Sequence, residues 1–516
     1  MCGGGRRRWW RPFSSRIIAP LILLLLCLLV ALRDSNTSST AHHLWTWRWR
    51  PLPPPPPLHG SAAFPPPVSG GGTTTTVAAV DPLLPAPAYK YINHSSAAPP
   101  LLITSDIKGE EVVNLTSGVF WPEKKLEMVE AKLGIARAAI REALHGNPTS
   151  DFDYVPMGPV YRNAKVFHRS YMEMEKELKI YVYEEGEPPI FHNGPCKSIY
   201  AMEGNFIYQM ESSPFRTRDP DKAHIFFLPL SVTAIVHFIY DRTSRSSEHW
   251  LPMKRTLSDY IHLLAHKYPY WNRSSGADHF MLACHDWGPE ISKAVPELFQ
   301  NSIRALCNAN TSEGFRPWKD VSIPEILLPG GTMHGLIGGP SPSRRSILAF
   351  FAGGLHGPIR PKILEHWEKK DEDIQVHRYL PKGVSYYGML RKSKFCICPS
   401  GYEVASPRMV EALYTGCVPV IIKDHYVAPF ADVLNWKAFS VHVRVEDIPK
   451  LKQILEGISQ PQYIRLQRRG TLVRRHFEVN LPPKRYDVFH MILHSAWLRR
   501  LNVRLASTRF KEHAPP

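Results

Sequence analysis

The rhythm of apolar and polar positions changes several times along this chain. Residues 17–32, IIAPLILLLLCLLVAL, form sixteen in a row without a charge. Residues 33–120 show no period and contain PLPPPPPL at 51–58, GGG at 70–72 and TTTT at 73–76. Such a stretch cannot bury enough apolar surface to offset its ordering entropy, so it reads as a disordered, extended stem. Within 121–146, Leu126, Val129, Leu133, Ala136 and Ile140 recur at helical spacing. They predict an amphipathic helix, read as a short coiled pair in the stem.

From about residue 170, short apolar runs alternate with helical patterns. Strands are expected at 178–183 (LKIYVY), 223–230 (AHIFFLPL) and 278–284 (DHFMLAC), with helices at 197–210 and 250–267. A Gly/Pro-rich loop at 329–345 separates this half, 170–335, from a second, 345–460. There the strands are 346–352, 374–378, 394–398 and 417–422, with helices at 360–369, 383–392 and 407–415. Helices near 447–457 and 461–477 follow, and 461–516 is a basic C-terminal region. Strands alternating with helices imply parallel sheets and an α/β fold.

Charge refines this picture. Of a net +17, +6 lies in residues 1–33 and +9 in residues 461–516, leaving about +2 between them. A near-neutral middle excludes a nucleic-acid-binding core, which needs a basic face. Arg6, Arg7, Arg8, Arg11 and Arg16 precede the apolar run. They make 1–16 a cytosolic tail and 17–32 a signal-anchor of a single-pass type II protein. A cleaved signal peptide is the rival, although the exit from the run has no A-x-A site. Five sequons follow the anchor, at Asn36, Asn93, Asn114, Asn272 and Asn310, as a lumenal, glycosylated chain requires. Cys196, Cys284, Cys307, Cys396, Cys398 and Cys417 suggest disulfides whose connectivity stays open. No zinc-finger spacing accompanies Cys396 and Cys398.

The most informative segment is 394–422, KFCICPSGYEVASPRMVEALYTGCVPVII. It is a strand, a loop around Ser400 and Gly401, a helix opened by Ser406 as N-cap and Pro407, a stop at Gly416 and a second strand. A helix N-terminus at the carboxyl edge of a parallel strand favours anions such as a pyrophosphate. Arg408 and Glu411 share a face of that helix. Arg408 is placed to hold a diphosphate and Glu411 to accept ribose hydroxyls. A plain surface Arg–Glu pair is the competing reading.

Six ordered blocks over 178–460 resemble the exostosin domain of glycosyltransferase family 47, particularly its plant cell-wall branch. They are KIYVYEEGEPPIFHNGPC (179–196), RTRDPDKAHIFFLPLS (216–231), YPYWNRSSGADHFMLACHDWGP (268–289), FFAGGLHGPIRPKILEHW (350–367), FCICPSGYEVASPRMVEALYTGCVPVII (395–422) and PFADVLNWKAFSV (429–441). The resemblance implies a glycosyltransferase-B fold, two Rossmann-like domains facing a cleft. It implies an inverting hexosyl- or pentosyltransferase of the Golgi membrane with a lumenal catalytic domain. A UDP-sugar would be co-substrate, and a wall polysaccharide or glycoprotein glycan the acceptor. Complexes with other glycosyltransferases are also in view. By position, Arg360, Ser400, Gly401, Arg408 and Glu411 fall on the donor side. Leu355 and His356 stand where the animal enzymes have basic residues.

An inverting transfer needs a base for the acceptor hydroxyl. Asp286, after strand 278–284, is the first choice, with His285 and His192 as alternatives. Trp287 either stacks on a sugar ring or packs in the core. Asp371-Glu372-Asp373 imitates a metal-binding triplet but reads as a solvated charge run, so no metal cofactor is expected. A non-catalytic Golgi scaffold or polysaccharide-binding partner is the runner-up. A glycoside hydrolase would want a flanking carboxylate pair, and none stands out.

Overall fold

The short apolar runs become two all-parallel sheets. The computed structural model describes residues 123–146, 150–241 and 249–505. The anchor, the stem and the sequons at Asn36, Asn93 and Asn114 lie outside them. The first sheet contains β1 (Ile180–Val182), β2 (Arg216–Thr217), β3 (Ile225–Phe227), β4 (His279–Ala283), β5 (Ile303–Leu306) and β6 (Val321–Ser322). Its order is β2-β1-β3-β4-β5-β6. The second holds β7 (Ile347–Ala352), β8 (Ile374–His377), β9 (Ser393–Pro399), β10 (Val418–Ile422) and β11 (Val441–His442), ordered β11-β10-β9-β7-β8. Both are doubly wound, with strand order reversing at β1/β3 and β7/β9. Ligands of such sheets sit beyond the carboxyl ends of the strands at that reversal. The central strands are buried along their length, as sheets covered on both faces require.

Four strands escaped the sequence pattern. β2, β6 and β11 are two residues each and exist through their ladder partners. β5 is interrupted by a charge, Arg304, which is fully buried. Its guanidinium donates to both Asp320 carboxylate oxygens at 3.0 and 2.5 Å, to Gly314 O at 2.8 Å and to Ser292 Oγ at 3.0 Å. Full hydrogen bonding is what lets the charge occupy a core strand.

One element packs differently from expectation. The helix Glu123–Glu142 is not part of a coiled pair. Its Val129, Leu133 and Ala136 face joins the main core, and Arg137 donates to Leu501 O and Val503 O at 2.7 and 2.8 Å. An apolar stripe does not encode which surface covers it, and here the globular domain does. The C-terminal helix Val488–Asn502, within the basic C-terminal region, packs into the core as well. Phe489, Ile492 and Trp497 are buried, and Arg500, 1% exposed, donates to His224 O at 2.7 Å in the first half.

Backbone pairing joins the halves directly. Val427 N–H donates to Ala309 O (3.0 Å), Thr311 N–H to His425 O (2.9 Å) and Phe430 N–H to Ser322 O (3.1 Å). Disulfide Cys284–Cys307 ties the carboxyl ends of β4 and β5, and Cys396–Cys417 ties the middle of β9 to the start of β10. Cys398 keeps a buried thiol.

Arg304→Ala would strand Asp320 in the core. Urea unfolding should show a loss of about 3–5 kcal/mol, and a change below about 1 kcal/mol would mean that Lys319 and the backbone satisfy Asp320 alone.

Candidate functional site

The carboxyl edges of both sheets line one cleft. On the second half, β7 ends at Ala352 and a glycine-rich turn leads into the helix Ile359–Trp367. β9 ends at Pro399, and the loop from Ser400 leads into the helix Arg408–Thr415. Both helix N-termini point their free N–H groups to this edge. Pro407 occupies the cap position without a side-chain bond, so Ser406 does not cap as expected. Its buried hydroxyl has no partner.

The glycines are there because guanidinium groups lie against their backbone. A Cβ on Gly353 would meet Arg408 Nη2 at 2.7 Å, and one on Gly401 would meet Arg360 Nη2 at 2.8 Å. Gly357, at φ 68°, is pressed against the second loop, and a Cβ there would stand 1.8 Å from Gly401 O. Arg360, 7% exposed, donates from Nε to Ser400 O at 3.2 Å. Burial, then Arg408, lowers its pKa to about 10. Arg408 donates from Nη2 to Ala352 O at 3.0 Å and lies 5.4 Å from the Phe351 ring. Its Nε and the Ser400 hydroxyl are buried without partners.

Lys423, the residue after β10, is a third cation that sequence reasoning passed over. The signal was its position at a strand's carboxyl end. Its ammonium donates to Val404 O and lies 4.8 Å from the Tyr426 ring. Burial pushes it down to about 7, against the pull of Cys398 and Glu325. Among the described residues, no carboxylate comes within 4.0 Å of Arg360, Arg408 or Lys423 as an ion-pair partner. Glu411, one turn from Arg408, instead accepts from Tyr386 and Tyr387 hydroxyls at 2.9 and 3.1 Å. Burial raises its pKa while Arg408 opposes. The surface Arg–Glu pair is therefore excluded, since Glu411 is 3% exposed and not paired to Arg408. His356, in the turn, stacks on Tyr402 at 5.0 Å, and burial, then Arg360 and Arg408, lowers its pKa.

On the first half, Glu203 organises the wall. It is fully buried, accepting from Cys284 and His285 N–H at 2.8 and 3.0 Å and from Ser231 Oγ and Thr233 N–H at 2.5 and 2.9 Å. It thereby binds the ends of β3 and β4 together and presents Asp286. Asp286 is half-buried, hydrogen-bonds the Tyr200 hydroxyl and has a pKa pushed up to about 6, chiefly by burial. His285 turns away from this role. Its Nδ1 accepts from Trp287 N–H at 3.1 Å, its ring lies 4.7 Å from Tyr200, and burial lowers its pKa to about 4. His192 has both ring nitrogens engaged, with Glu211 Oε1 and Glu185 O at 3.3 Å each. Trp287 packs against Trp250 and Tyr240, 4.7 and 5.1 Å between centroids, at the edge of the first half's core.

Two further carboxyls were not foreseen. Glu325, in the unremarkable run SIPEILL, is 5% exposed beyond the end of β6. Glu403 lies in the phosphate-side loop. Asn308 Nδ2 bridges across the cleft to Glu403 Oε2 (2.8 Å) and also reaches Glu313 Oε2 (3.1 Å). Burial, then Glu313, raises Glu403 to about 8. Elsewhere, Asp371 and Asp373 both hold Lys452 (2.8 and 2.9 Å), and Asp371 Oδ1 caps its own turn, which accounts for the acidic triplet structurally. Of the two described sequons, Asn272 is exposed. Asn310 is 7% exposed with its amide donating to Glu313 at 3.0 Å.

Comparison with known proteins agrees with the geometry. The exostosin GT47 domain matches residues 174–458. An Arabidopsis thaliana protein named as a probable glycosyltransferase is 66% identical over 381 residues, covering 74% of this chain and 73% of its own. Two more distant Arabidopsis relatives are named as a probable β-1,4-xylosyltransferase (30% identical, 61% of this chain, 81% of its own) and a probable glucuronoxylan glucuronosyltransferase (29%, 63% and 74%). The chain belongs to the exostosin GT47 family, in its plant branch, and is a glycosyltransferase.

Proposed function

We propose that this enzyme moves a sugar from a UDP-sugar to a hydroxyl of a cell-wall polysaccharide, by inverting displacement, in the Golgi lumen. One observation carries the reading: Arg360, Arg408 and Lys423 gather at the carboxyl edge of the second sheet, each bonded to a backbone carbonyl, and among the described residues none has a carboxylate in ion-pair contact. Holding unpaired cations beside partnerless Ser400 and Ser406 hydroxyls is costly, unless a ligand of high negative charge completes the site. A nucleoside diphosphate fits that demand, with Glu411 on the ribose side. As the glycosidic bond to the diphosphate breaks, the cations and the two helix N-termini stabilise the charge on the leaving oxygen. Asp286 takes the proton of the attacking hydroxyl from the opposite wall, and attack opposite the leaving group inverts the anomeric centre. The relatives named as xylosyl- and glucuronosyltransferases make UDP-xylose and UDP-glucuronic acid the first donors to test, with xylan fragments as acceptors. The apolar run at 17–32 and the disulfides Cys284–Cys307 and Cys396–Cys417, which need an oxidising compartment, support the lumenal placement.

Three outcomes are expected. In calorimetric titration with UDP, Arg408→Ala and Glu411→Ala each weaken binding at least about 10-fold with the circular dichroism spectrum retained. Gly357→Ala, which forces the two loops apart, lowers affinity by a similar order; unaltered affinity in all three would sink the donor-site assignment. The pH profile of kcat/KM should rise through a midpoint near 6 as Asp286 loses its proton, and Asp286→Asn should cost about 100-fold or more. Because side chains and helix termini supply the positive charge, turnover should survive chelation of divalent metal by EDTA; its abolition would refute this charge assignment.

A further inference from the structure

Glu325 is unused by the donor site and by the base. It lies three residues beyond β6, at the same carboxyl edge of the first sheet as Asp286. Only 5% of it is exposed, its neighbours Ile323 and Ile326 are wholly buried, and no hydrogen bond or ion pair among the described residues reaches its carboxyl. Tyr200, whose hydroxyl bonds Asp286, pairs in a parallel bridge with Ile326, the residue next to Glu325, and Asp286, Lys423, Arg408 and Glu411 are the charges that act on its ionisation. Its carboxyl therefore belongs to the group of side chains that joins the two walls. On the nucleotide-sugar reading, on which this inference rests, that is where the transferred sugar has to lie.

A buried carboxylate without a donor is one of the most costly groups a protein can hold, and it avoids the cost by keeping its proton. Burial and then Asp286 do raise its pKa well above the usual range, while Lys423 and Arg408 oppose. A bound diphosphate would remove that opposition by claiming the cations. A neutral carboxyl donates from one oxygen and accepts at the other, the complement of two neighbouring sugar hydroxyls. An apolar site that keeps an acid neutral so that it can donate is an established way to build such a contact.

We propose that Glu325 is a substrate-holding carboxylic acid that grips neighbouring hydroxyls of the transferred sugar, while Asp286 alone accepts the proton. It is a binding and specificity residue of the reaction. Sugars lacking a hydroxyl at the contacted position would be poor donors, because they would leave the buried acid unpaired.

The test uses the full-length protein in two arms. Infrared difference spectra of wild type against Glu325→Gln at neutral pH should show the carbonyl band of one protonated carboxyl, absent from the variant. UDP release from UDP-xylose and UDP-glucuronic acid should fall only about 3- to 10-fold in Glu325→Gln, whose amide still donates and accepts, but about 100-fold in Glu325→Ala. The Gln variant should also lose any alkaline decline in rate. UDP affinity and melting temperature should be retained in both variants. No protonated-carboxyl band, or a Gln variant as inactive as the Ala variant, would overturn the proposal and make Glu325 a proton acceptor. Wild-type protein that fails to bind UDP would defeat the donor-site reading instead, and the infrared arm would still judge Glu325.

Discussion

Three basic side chains held in one cleft, with no ion-pair partner among the described residues, are the constraint around which this molecule is arranged. Arg360, Arg408 and Lys423 are each anchored to a backbone carbonyl, Ser400 O, Ala352 O and Val404 O. Carbonyls orient the charges without cancelling them, and that is the difference between a binding site and a salt bridge. Everything else at the edge of the second sheet follows from keeping those charges close together. Gly353, Gly357 and Gly401 carry no side chains because guanidinium groups and backbone occupy the space. Phe351 lies under Arg408, so part of its field is directed to a ring face and not to an acid.

The opposite wall solves a different problem, the placement of carboxyls near neutrality. Glu203 spends all its hydrogen bonds on the ends of β3 and β4, so Asp286 is presented by a rigid bracket. The Cys284–Cys307 disulfide reinforces the same edge. Asp286 and Glu325 then differ in environment: one is half-open and touched by Tyr200, the other is enclosed and untouched. Burial raises the pKa of both, Asp286 to about 6 and Glu325 well above the usual carboxylate range. Asn308 carries the arrangement across the cleft through Glu403.

The two walls face each other because the chain crosses back. Residues 309–311 and 322 pair with 425–430 through backbone hydrogen bonds, and the C-terminal helix Val488–Asn502 returns to the first half. The cleft is thus built from segments separated by more than a hundred residues, and only long-range packing sets its width.

The sequence by itself determined a great deal. The alternation of short apolar runs and helices meant α/β with two parallel halves, because strand and helix periods are local properties. The unit 394–422 placed Arg408 and Glu411 on one helix face, because helical spacing is local too. Only the tertiary structure decided the rest. β5 carries no sequence signal of its own, because Arg304 interrupts its apolar run and only Asp320 and Gly314, from beyond the strand, satisfy it. His192 and His285 were alternatives for the base; His192 has both ring nitrogens engaged, and His285 accepts at Nδ1 from Trp287 N–H. Lys423, Glu403 and Glu325 had no motif at all. They matter because two strand edges meet, and a contact between residues a hundred positions apart leaves no period in the sequence around either one.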